Sequence, residues 1–251
     1  MGKKSRISAY RANRAPDMEA VERPLLGGKK GWDPLDGYDG RRDQAYVKNV
    51  TPRSEGQKAL MEAINTHNLV VTLGPAGSGK TYLAIAAAVE AFDKGKVDRI
   101  ILSRPAVEAG EKIGYLPGDL QDKMAPYLRP LYDALNDRMG IKRLKQYIET
   151  GEIEIAPIGY MRGRTLNKAF VVIDEAQNCT YGQIKMIVSR LGFNSTMVIT
   201  GDPDQSDLLE GISGLREMAR KLEAVEGIAV QRLKELDIVR HPLVAKMLEV
   251  I

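Results

Sequence analysis

The sequence has little cysteine, little histidine and no long apolar run. Its 251 residues include one cysteine, Cys179, and two histidines. One cysteine cannot form an internal disulfide, and so few thiolate and imidazole ligands argue against a structural zinc site. No window of about 18 residues is uninterruptedly apolar, so we expect no membrane span. The opening MGKKSRISAY also lacks the apolar stretch of a secretory signal, and together these absences favour a protein of the reducing cytoplasm.

The rest of the composition is that of a globular protein with a distinct first segment. Hydrophobic residues make up 43% of the chain and charged residues 28%, with a formal net charge of +4, which permits a polyanionic partner. Residues 1–45 are rich in glycine, proline and charge, so we expect a flexible arm that is either a solvated tail or a nucleic-acid-binding arm. Residues 46–251 form the predicted globular domain.

Apolar strand patterns and helix patterns alternate in this domain. The predicted strands are NLVVTLG, DRIILSRP, IEIAPI, AFVVIDEA, STMVITGD and IAVQRL. Among the helices between them, we expect Pro126 and Pro130 to break or kink one, YGQIKMIVSRLG to end at Gly192, and VRHPLVAKMLEVI to form the last. The alternation predicts an α/β fold with a mostly parallel sheet covered by helices on both faces.

The stretch GPAGSGKTYLA follows the first predicted strand and opens a predicted helix from Lys80 to about Phe92. It fits G-x-x-x-x-G-K-[ST], in which glycines let successive backbone N–H groups point at a phosphate chain. In such a loop Lys80 reaches the β- and γ-phosphates and Thr81 Oγ1 holds Mg²⁺, whereas the alternative is a glycine-rich turn without a ligand. The residues expected to bind the nucleotide are Gly74, Pro75, Ala76, Gly77, Ser78, Gly79, Lys80, Thr81 and Tyr82.

Two further strand ends carry polar residues that suit the same site. AFVVIDEAQN contains Asp174 and Glu175; we expect this strand to lie beside the phosphate loop, with Asp174 on Mg²⁺ and Glu175 polarising the attacking water. VITGDPDQSDL brings Asp202 and Gln205 to the same edge, where the Gln205 amide could report a γ-phosphate. The alternatives are two acids that cap the following helix and a simple GDPD turn.

The base is predicted to be adenine. Guanine-specific proteins need an Asn-Lys-x-Asp element, and the nearest string, LNKAF, lacks its aspartate, so the sequence favours ATP over GTP. Gln57 lies upstream of the first strand, where its amide can read adenine through two hydrogen bonds. The alternative for Gln57 is an ordinary exposed glutamine at the start of a helix.

Several stretches together resemble the PhoH family of phosphate-starvation-inducible ATPases, which are related to superfamily 1 helicases. They are GPAGSGKTYLAIAAAV, RIILSRPAVEAGEKIGYLPGDLQDKMAPYLRPLYDAL, MRGRTL, FVVIDEAQN, KMIVSRLGF, VITGDPDQSDL and VRHPLV. The resemblance covers the chain from Val50 to the C-terminus. It implies a RecA-like core that binds and hydrolyses ATP with Mg²⁺, together with RNA or DNA unwinding. It also implies that Gln205 is the γ-phosphate sensor and Gln57 the adenine reader.

Basic residues near the predicted edge point to a nucleic-acid partner. Arg104 ends the second strand, where the related motors touch a nucleic-acid backbone, and Arg162 and Arg164 lie beside Tyr160 in YMRGRTL. Arginines next to an aromatic ring suit backbone contact and base stacking. The alternative is a solvated basic loop, or ion pairs with local acids. With the resemblance, the expected partner is RNA or single-stranded DNA.

One RecA-like half cannot supply every group that a two-domain motor brings to the γ-phosphate. An arginine finger contributes about 10³–10⁵ in rate, so we expect a homo-oligomeric ring, such as a hexamer, in which each subunit gives a finger to its neighbour. Arg240 in VRHPLV is the first candidate, and Arg162 or Arg164 the second. The other role for Arg240 is a sensor in its own subunit. Competing functions are a small-molecule phosphotransferase and a nucleotide-dependent scaffold or switch with little turnover.

Overall fold

The computed structural model describes residues 50–105, 120–209, 211–239 and 247, with side chains from residue 127 onward in the second range. The predicted arm of residues 1–45, the candidate Arg240 and nearly all of VRHPLVAKMLEVI lie outside the described residues. Within the described ranges, no helix combines the length and the apolar character that crossing a membrane requires.

Helices and strands alternate along the described chain. The helices are α1 (Glu55–Thr66), α2 (Lys80–Asp93), α3 (Leu120–Met139), α4 (Ile141–Thr150), α5 (Tyr181–Val188) and α6 (Leu215–Leu222). The strands are β1 (Leu69–Leu73), β2 (Arg99–Arg104), β3 (Ile153–Pro157), β4 (Ala169–Ile173), β5 (Thr196–Gly201) and β6 (Ile228–Arg232). Every predicted strand is present, and α2 begins at the predicted residue, Lys80.

The strands form one parallel sheet in the order β3-β2-β4-β5-β1-β6. This arrangement confirms the predicted α/β class with a parallel sheet. β1 lies between β5 and β6, with Val71 opposite Ile199 and Val230. Because all the strands run the same way, their carboxyl ends meet at one edge, which is where open parallel sheets bind their ligands.

Each face of the sheet has its own hydrophobic core. Successive strand residues point to opposite faces, so Val70 and Val172 pack in the core that α1 to α4 cover. Val71 and Val171 pack in the other core, which α5 and α6 cover. Burial on both faces explains why the strands are almost continuously apolar. The polar residues expected at the site therefore lie at the carboxyl ends of the strands or in the turns that follow them.

α3 runs unbroken through Pro126 and Pro130, so the predicted break or kink does not take the form of a break. Each internal proline costs a helix about 3 kcal/mol. The helix offsets this cost by burying Leu128, Leu131 and Leu135 almost completely in the core, since each such side chain contributes roughly 1.5–3 kcal/mol. Tertiary packing thus overrides the local preference.

α5 ends at Val188, earlier than the predicted C-cap at Gly192. The backbone leaves the helix because the following residues pair with the loop before β4: Leu166 N donates to Arg190 O at 2.9 Å, and Gly192 N donates to Leu166 O at 3.2 Å. A side chain at Gly192 would not fit there, because a Cβ would clash with Asn167 Oδ1. This glycine permits a close approach of two loops rather than a helix cap.

Candidate functional site

The loop between β1 and α2 is built from backbone conformations that suit glycine. Gly77 and Gly79 have φ angles of 81° and 85°, in the left-handed region that side chains disfavour. Gly74 has no room for a side chain, because a Cβ would lie 2.7 Å from Leu233 O. Gly79 is the N-cap of α2, and a helix N-terminus after such a loop attracts anions. The loop has the backbone shape that its motif requires of a phosphate cradle.

Lys80 folds back over this loop. Its Nζ donates to Gly74 O at 2.6 Å and to Pro75 O at 2.8 Å, and the residue is buried. Burial lowers the pKa of Lys80, while nearby carboxylates, of which Asp202 has the largest effect, act in the opposite direction. The amine therefore lies within electrostatic reach of the acids at the ends of β4 and β5.

Asp174 is held by two hydroxyl groups. Thr81 Oγ1 donates to Asp174 Oδ1 at 2.5 Å, and Thr200 Oγ1 donates to the same oxygen at 2.7 Å. Asp174 is only 4% exposed, and its backbone N–H donates to Ser103 O at 2.8 Å. The first turn of α2, the end of β4 and the end of β5 thus meet at one carboxylate oxygen.

The strand that carries Asp174 is not the neighbour of β1, so the prediction that it lies beside the phosphate loop needs correction. β5 lies between β1 and β4. Thr200 at the end of β5 consequently lies next to Asp174, while Thr81 reaches the acid from α2. Strand order depends on which crossover each helix makes and is not encoded in motif spacing. For this reason sequence reasoning missed Thr200.

The Glu175 carboxylate lies between two donors. Arg104 Nη2 donates to Oε1 at 3.1 Å, and Gln177 Nε2 donates to Oε2 at 2.5 Å. The Glu175 backbone is left-handed, with φ 53° and ψ 40°, which costs a non-glycine residue roughly 1–2 kcal/mol. Gln177 Oε1 accepts from Asp202 N at 3.1 Å, so this side chain links the ends of β4 and β5. Sequence reasoning missed Gln177, although its place in DEAQN, directly after the acid pair, was a usable signal.

The loop after β5 is fastened to the turn that follows β4. Asn178 Nδ2 donates to Asp207 Oδ2 at 2.9 Å, and Asp207 N donates back to Asn178 Oδ1 at 2.8 Å. Gln205 N donates to Asp202 O at 3.1 Å, so the GDPD turn also forms. Gln205 is exposed and lines a cleft of about 930 Å³ together with Asp202. The structure therefore brings Gln205 to the same edge as the acids.

Gln57 is buried, and its amide is engaged within the protein. Its Oε1 accepts from Arg53 N at 2.8 Å, and its Nε2 donates to Ser78 O at 3.0 Å and to Asp237 O at 3.3 Å. An exposed helix-start glutamine, the alternative role, is therefore excluded. A bidentate contact with adenine would require these bonds to exchange, because both amide hydrogens already have acceptors.

A second cavity, of about 530 Å³, adjoins the phosphate loop on the side of Gln57. Tyr82, Arg53 and Val239 are among its lining residues. Val239 N donates to Gly77 O at 3.1 Å, so the segment after β6 holds the apex of the loop. The structure thus places Tyr82 and Gln57 at one cavity, which borders the loop at Gly77 and Gly79, whereas the cleft at Gln205 borders it at Gly74 and Pro75.

The segment after β6 is anchored in turn by Asp237. The Asp237 carboxylate accepts from Lys234 N at 2.7 Å. That bond, together with one from the Ser54 hydroxyl, lowers the pKa of Asp237. A Cβ on Gly56 would clash with the carboxylate, so Asp237 sits against the start of α1. The N-terminal end of α1 and the phosphate loop are therefore supported by the same short segment.

The arginines expected to contact nucleic acid have different surroundings. Arg104 contacts Glu175. Arg164 donates to both carboxylate oxygens of Glu154 at 2.6 and 2.7 Å, and this pairing raises the pKa of Arg164; it matches the ion-pair alternative. Arg162 is exposed just beyond the 3₁₀ turn that follows β3. Two of the three guanidinium groups are therefore paired with carboxylates.

Two further basic residues are Lys168, which follows the YMRGRTL stretch, and Arg240 in VRHPLV. Lys168 immediately precedes β4 at the amino edge of the sheet, where its Nζ lies 3.4 Å from Asp98. It is therefore remote from the acids at the carboxyl edge. Arg240 lies outside the described residues, so its expected role as a finger or sensor stays a prediction.

Comparison with known proteins gives close relatives. The family described as PhoH-like protein matches residues 49–251. A PhoH-like protein from Bacillus subtilis is 52% identical over 206 residues, which cover 82% of this chain and 65% of the relative. A PhoH-like protein from Synechocystis is 45% identical over 259 aligned positions, which cover 98% of this chain and 78% of the relative. The chain thus spans less than two thirds of the length of the Bacillus relative.

Among solved structures, the large terminase from a thermophilic bacteriophage is similar in fold. The match has a TM-score of 0.50 and 12% sequence identity, and it covers 79% of this chain and 50% of that chain. At such low identity the likeness concerns the fold alone. Together with the parallel sheet and the glycine loop after β1, it confirms the predicted RecA-like α/β fold.

Proposed function

Because the chain belongs to the PhoH-like protein family, we propose that it is a magnesium-dependent ATPase that couples hydrolysis to the binding of RNA or single-stranded DNA. The observation that carries the proposal is the hydrogen bond between Thr81 and Asp174. This bond brings together two motifs that are far apart in the sequence, the first turn of α2 and the end of β4. Lys80 lies within electrostatic reach of the same acids. A glycine-rich turn without a ligand gives no reason for this convergence.

The oxygen atoms at this point suit a magnesium ion. Thr81 Oγ1 and Asp174 Oδ1 would hold it, with Thr200 fixing the carboxylate. No group of three or more histidine, cysteine, aspartate or glutamate side chains converges in the described ranges. Such a sparse protein donor set fits Mg²⁺, which keeps several waters and shares substrate phosphates. When bound, the ion would neutralise charge on the β- and γ-phosphates.

The protein side chains then divide the hydrolysis between them. Lys80 would exchange the carbonyl oxygens of Gly74 and Pro75 for phosphate oxygens. A water oxygen forms a bond to the γ-phosphorus while the bond from that phosphorus to the bridging oxygen breaks, and ADP leaves with the electron pair. Glu175 accepts the proton of the attacking water, and Gln205 reads the γ-phosphate from the loop after β5.

Adenine is proposed to occupy the cavity lined by Tyr82 and Arg53. An aromatic ring and a guanidinium are both suited to stacking on a base. Gln57 supports the loop through Ser78 O, and it contacts the base only if its present bonds exchange. This arrangement assigns the base fewer polar contacts than the sequence led us to expect, so the preference for ATP over GTP rests on the missing aspartate of the guanine-specific element in LNKAF.

Nucleic acid is proposed to bind along the carboxyl edge near β2 and β3. Arg104 and Arg162 lie at the ends of these strands, and the net charge of +4 favours a polyanion. Tyr160 is half-exposed beside Arg162 and is available for base stacking. Arg164 contributes less, because Glu154 engages its guanidinium at both ends.

A ring of identical subunits is proposed to complete the site. Leu209 and Leu236 are 78% and 91% exposed, as expected for apolar residues at a contact between subunits. Leu236 directly follows Glu235, a lining residue of the 930 Å³ cleft, and Leu209 lies in the segment between two other lining residues, Gln205 and Ser213. A neighbour seated there could bring Arg240 to the γ-phosphate. Mixing Arg240→Ala with Lys80→Ala subunits should restore part of the activity. No restoration would argue that Arg240 acts within its own subunit.

The proposed function is tested by ATP binding and turnover with and without magnesium, measured alongside solution mass. We expect magnesium-dependent turnover that Lys80→Ala abolishes. Short RNA or single-stranded DNA at low salt should change turnover or ATP affinity. A protein that binds no ATP with magnesium present, or that keeps full turnover as Lys80→Ala, would contradict the proposal.

A further inference from the structure

Arg104 and Glu175 form an ion pair between two neighbouring strand ends. Arg104 is the last residue of β2, and Glu175 follows β4, which pairs with β2 in the sheet. The Arg104 Nη2 lies 3.1 Å from Glu175 Oε1, and Nη1 lies 3.9 Å from Asp174 Oδ2. Arg104 therefore points at the acid pair, whereas a residue that served only to contact nucleic acid would point into solvent.

This contact leaves Glu175 poorly arranged for activating water. Both carboxylate oxygens accept hydrogen bonds from protein donors, Oε1 from Arg104 and Oε2 from Gln177. A general base needs an oxygen within reach of the proton that it takes, without a competing cation on that oxygen. The left-handed backbone of Glu175 also indicates that contacts hold the residue in its present conformation, because strained conformations persist only where surrounding contacts maintain them.

The ion pair is open to exchange with a stronger ligand. The side chains of Arg104 and Glu175 are 21% and 35% exposed, so a ligand at the carboxyl edge can reach the guanidinium. A guanidinium has five N–H donors in a fixed fork, and Glu175 takes a hydrogen bond from one nitrogen. A phosphate can accept two parallel bonds from that fork, whereas partly exposed ion pairs are weak.

We propose that Arg104 is a positioning residue that holds Glu175 in a resting orientation until a nucleic-acid phosphate takes its guanidinium. The inference rests on the proposed ATPase function and concerns its regulation. On release, Glu175 keeps Gln177 as its remaining donor, and Asp202 N fixes the other end of that amide. The carboxylate then turns about this contact towards the loop that bears Gln205, so that binding at the end of β2 speeds the water-activating step.

Steady-state ATP hydrolysis by the full chain and by Arg104→Met tests this proposal. Methionine keeps an unbranched apolar stem and removes the charge. We expect turnover without nucleic acid to rise about two- to tenfold. We also expect a short oligouridylate or oligothymidylate, which stimulates the wild type, to give the variant no further increase. Turnover without nucleic acid that is unchanged or lower in Arg104→Met overturns the proposal.

Two further variants keep the result interpretable. Arg143→Met is the matched control, because Arg143 donates to Asp93 at 2.7 Å in an ion pair outside the site; its turnover and stimulation should equal those of the wild type. Arg104→Lys keeps the charge without the fork, and its unstimulated turnover should lie between those of the wild type and Arg104→Met. ATP affinity should be unchanged in both Arg104 variants, because Arg104 acts through Glu175. A fall in affinity would indicate direct contact with the nucleotide and overturn the positioning role.

Failure of the switch and failure of the ATPase give different results. A wild type without turnover, or Lys80→Ala with full turnover, overturns the proposed function itself. Wild-type turnover that Lys80→Ala abolishes and Arg104→Met does not raise overturns the switch alone.

Discussion

The two strand ends that form the candidate site are built in different ways. The loop after β1 is shaped by glycine backbone and by bonds from Lys80 to carbonyl groups of the same loop. The acids after β4 are held mainly by side chains from distant parts of the chain, namely Thr81, Thr200 and Arg104, together with the nearby Gln177. The loop half of the site, residues 74–80, is therefore encoded largely in the local sequence. The acid half, Asp174 and Glu175, depends on which elements the fold brings together. Substitutions in the two halves should therefore fail in different ways.

Among the substitutions at the acids after β4 and their partners, Glu175→Gln should have the largest effect on catalysis, and it should leave the phosphate loop intact. We expect ATP affinity close to that of the wild type, because Lys80 and the backbone cradle are unchanged. Hydrolysis in a single turnover should fall by about 10²–10⁴, the range for loss of a general base. Lys80→Ala is the matched variant in the other half and should lose affinity together with turnover. Equal losses of ATP affinity in Glu175→Gln and Lys80→Ala would contradict the proposal that the loop binds the nucleotide while the acids act in hydrolysis.

Gly74→Ala should be the most damaging small change in the loop half. The added Cβ would lie 2.7 Å from Leu233 O, at a φ of +152°, so we expect the free energy of unfolding to fall by about 1–3 kcal/mol. Urea unfolding measures this directly. Gly95→Ala is the control, because Gly95 has a φ of +65° but nothing within 4 Å of the added Cβ. Similar losses in both variants would mean that φ strain, and not the contact with Leu233, is the cause.

Thr200→Val tests whether the acid half depends on its tertiary partners. The change removes the hydroxyl that donates to Asp174, so we expect a higher magnesium concentration for half-maximal turnover and a loss of stability of about 1 kcal/mol. Thr72→Val is the matched control: Thr72 lies opposite Thr200 on β1, and its buried hydroxyl has no hydrogen-bond partner in the described residues. That variant should be neutral or more stable. If Thr200→Val left the magnesium dependence of turnover unchanged, the hydrogen bond from Thr200 to Asp174 would not influence magnesium binding.

Asp237→Asn should have the smallest effect, and it tests the external support of the loop. Bonds from Lys234 N and Ser54 lower the pKa of Asp237 below its ordinary 3.8. A depressed folded-state pKa stabilises the protein above the unfolded-state pKa, and this contribution is lost as the pH falls through the folded-state value. Urea unfolding should thus show wild type more stable than Asp237→Asn at neutral pH, with the difference shrinking below pH 3.8. A difference that grows on acidification would refute this assignment.

The sequence was most informative where structure is local. The strand patterns, the start of α2 and the glycine positions of the phosphate loop follow from periodicity and backbone preference, so they could be predicted. The unbroken course of α3 through Pro130 could not, because burial of Leu128 and its neighbours decides it. The early end of α5 likewise depends on contacts with Leu166, which is distant in sequence.

In the acid half, the sequence predicted the functional residues but not the contacts that hold them. Asp174 and Glu175 were identifiable as a motif, but their partners were not, because strand order and side-chain contacts arise only on folding. Arg104 illustrates the point: its position suggested a nucleic-acid contact, whereas its guanidinium contacts Glu175. Gln57 shows the same limit, since its amide is committed to three backbone groups.

The position of β5 between β1 and β4 sets the width of the space in which a triphosphate would react. Neighbouring strands lie about 4.8 Å apart, so strands on either side of a third are separated by roughly 10 Å. That distance is fixed by main-chain pairing along the whole sheet, and no single side-chain replacement can narrow or widen it. Substitutions in the flanking helices can therefore change nucleotide affinity or the regulation of turnover while the distance between the phosphate loop and the acids after β4 stays constant.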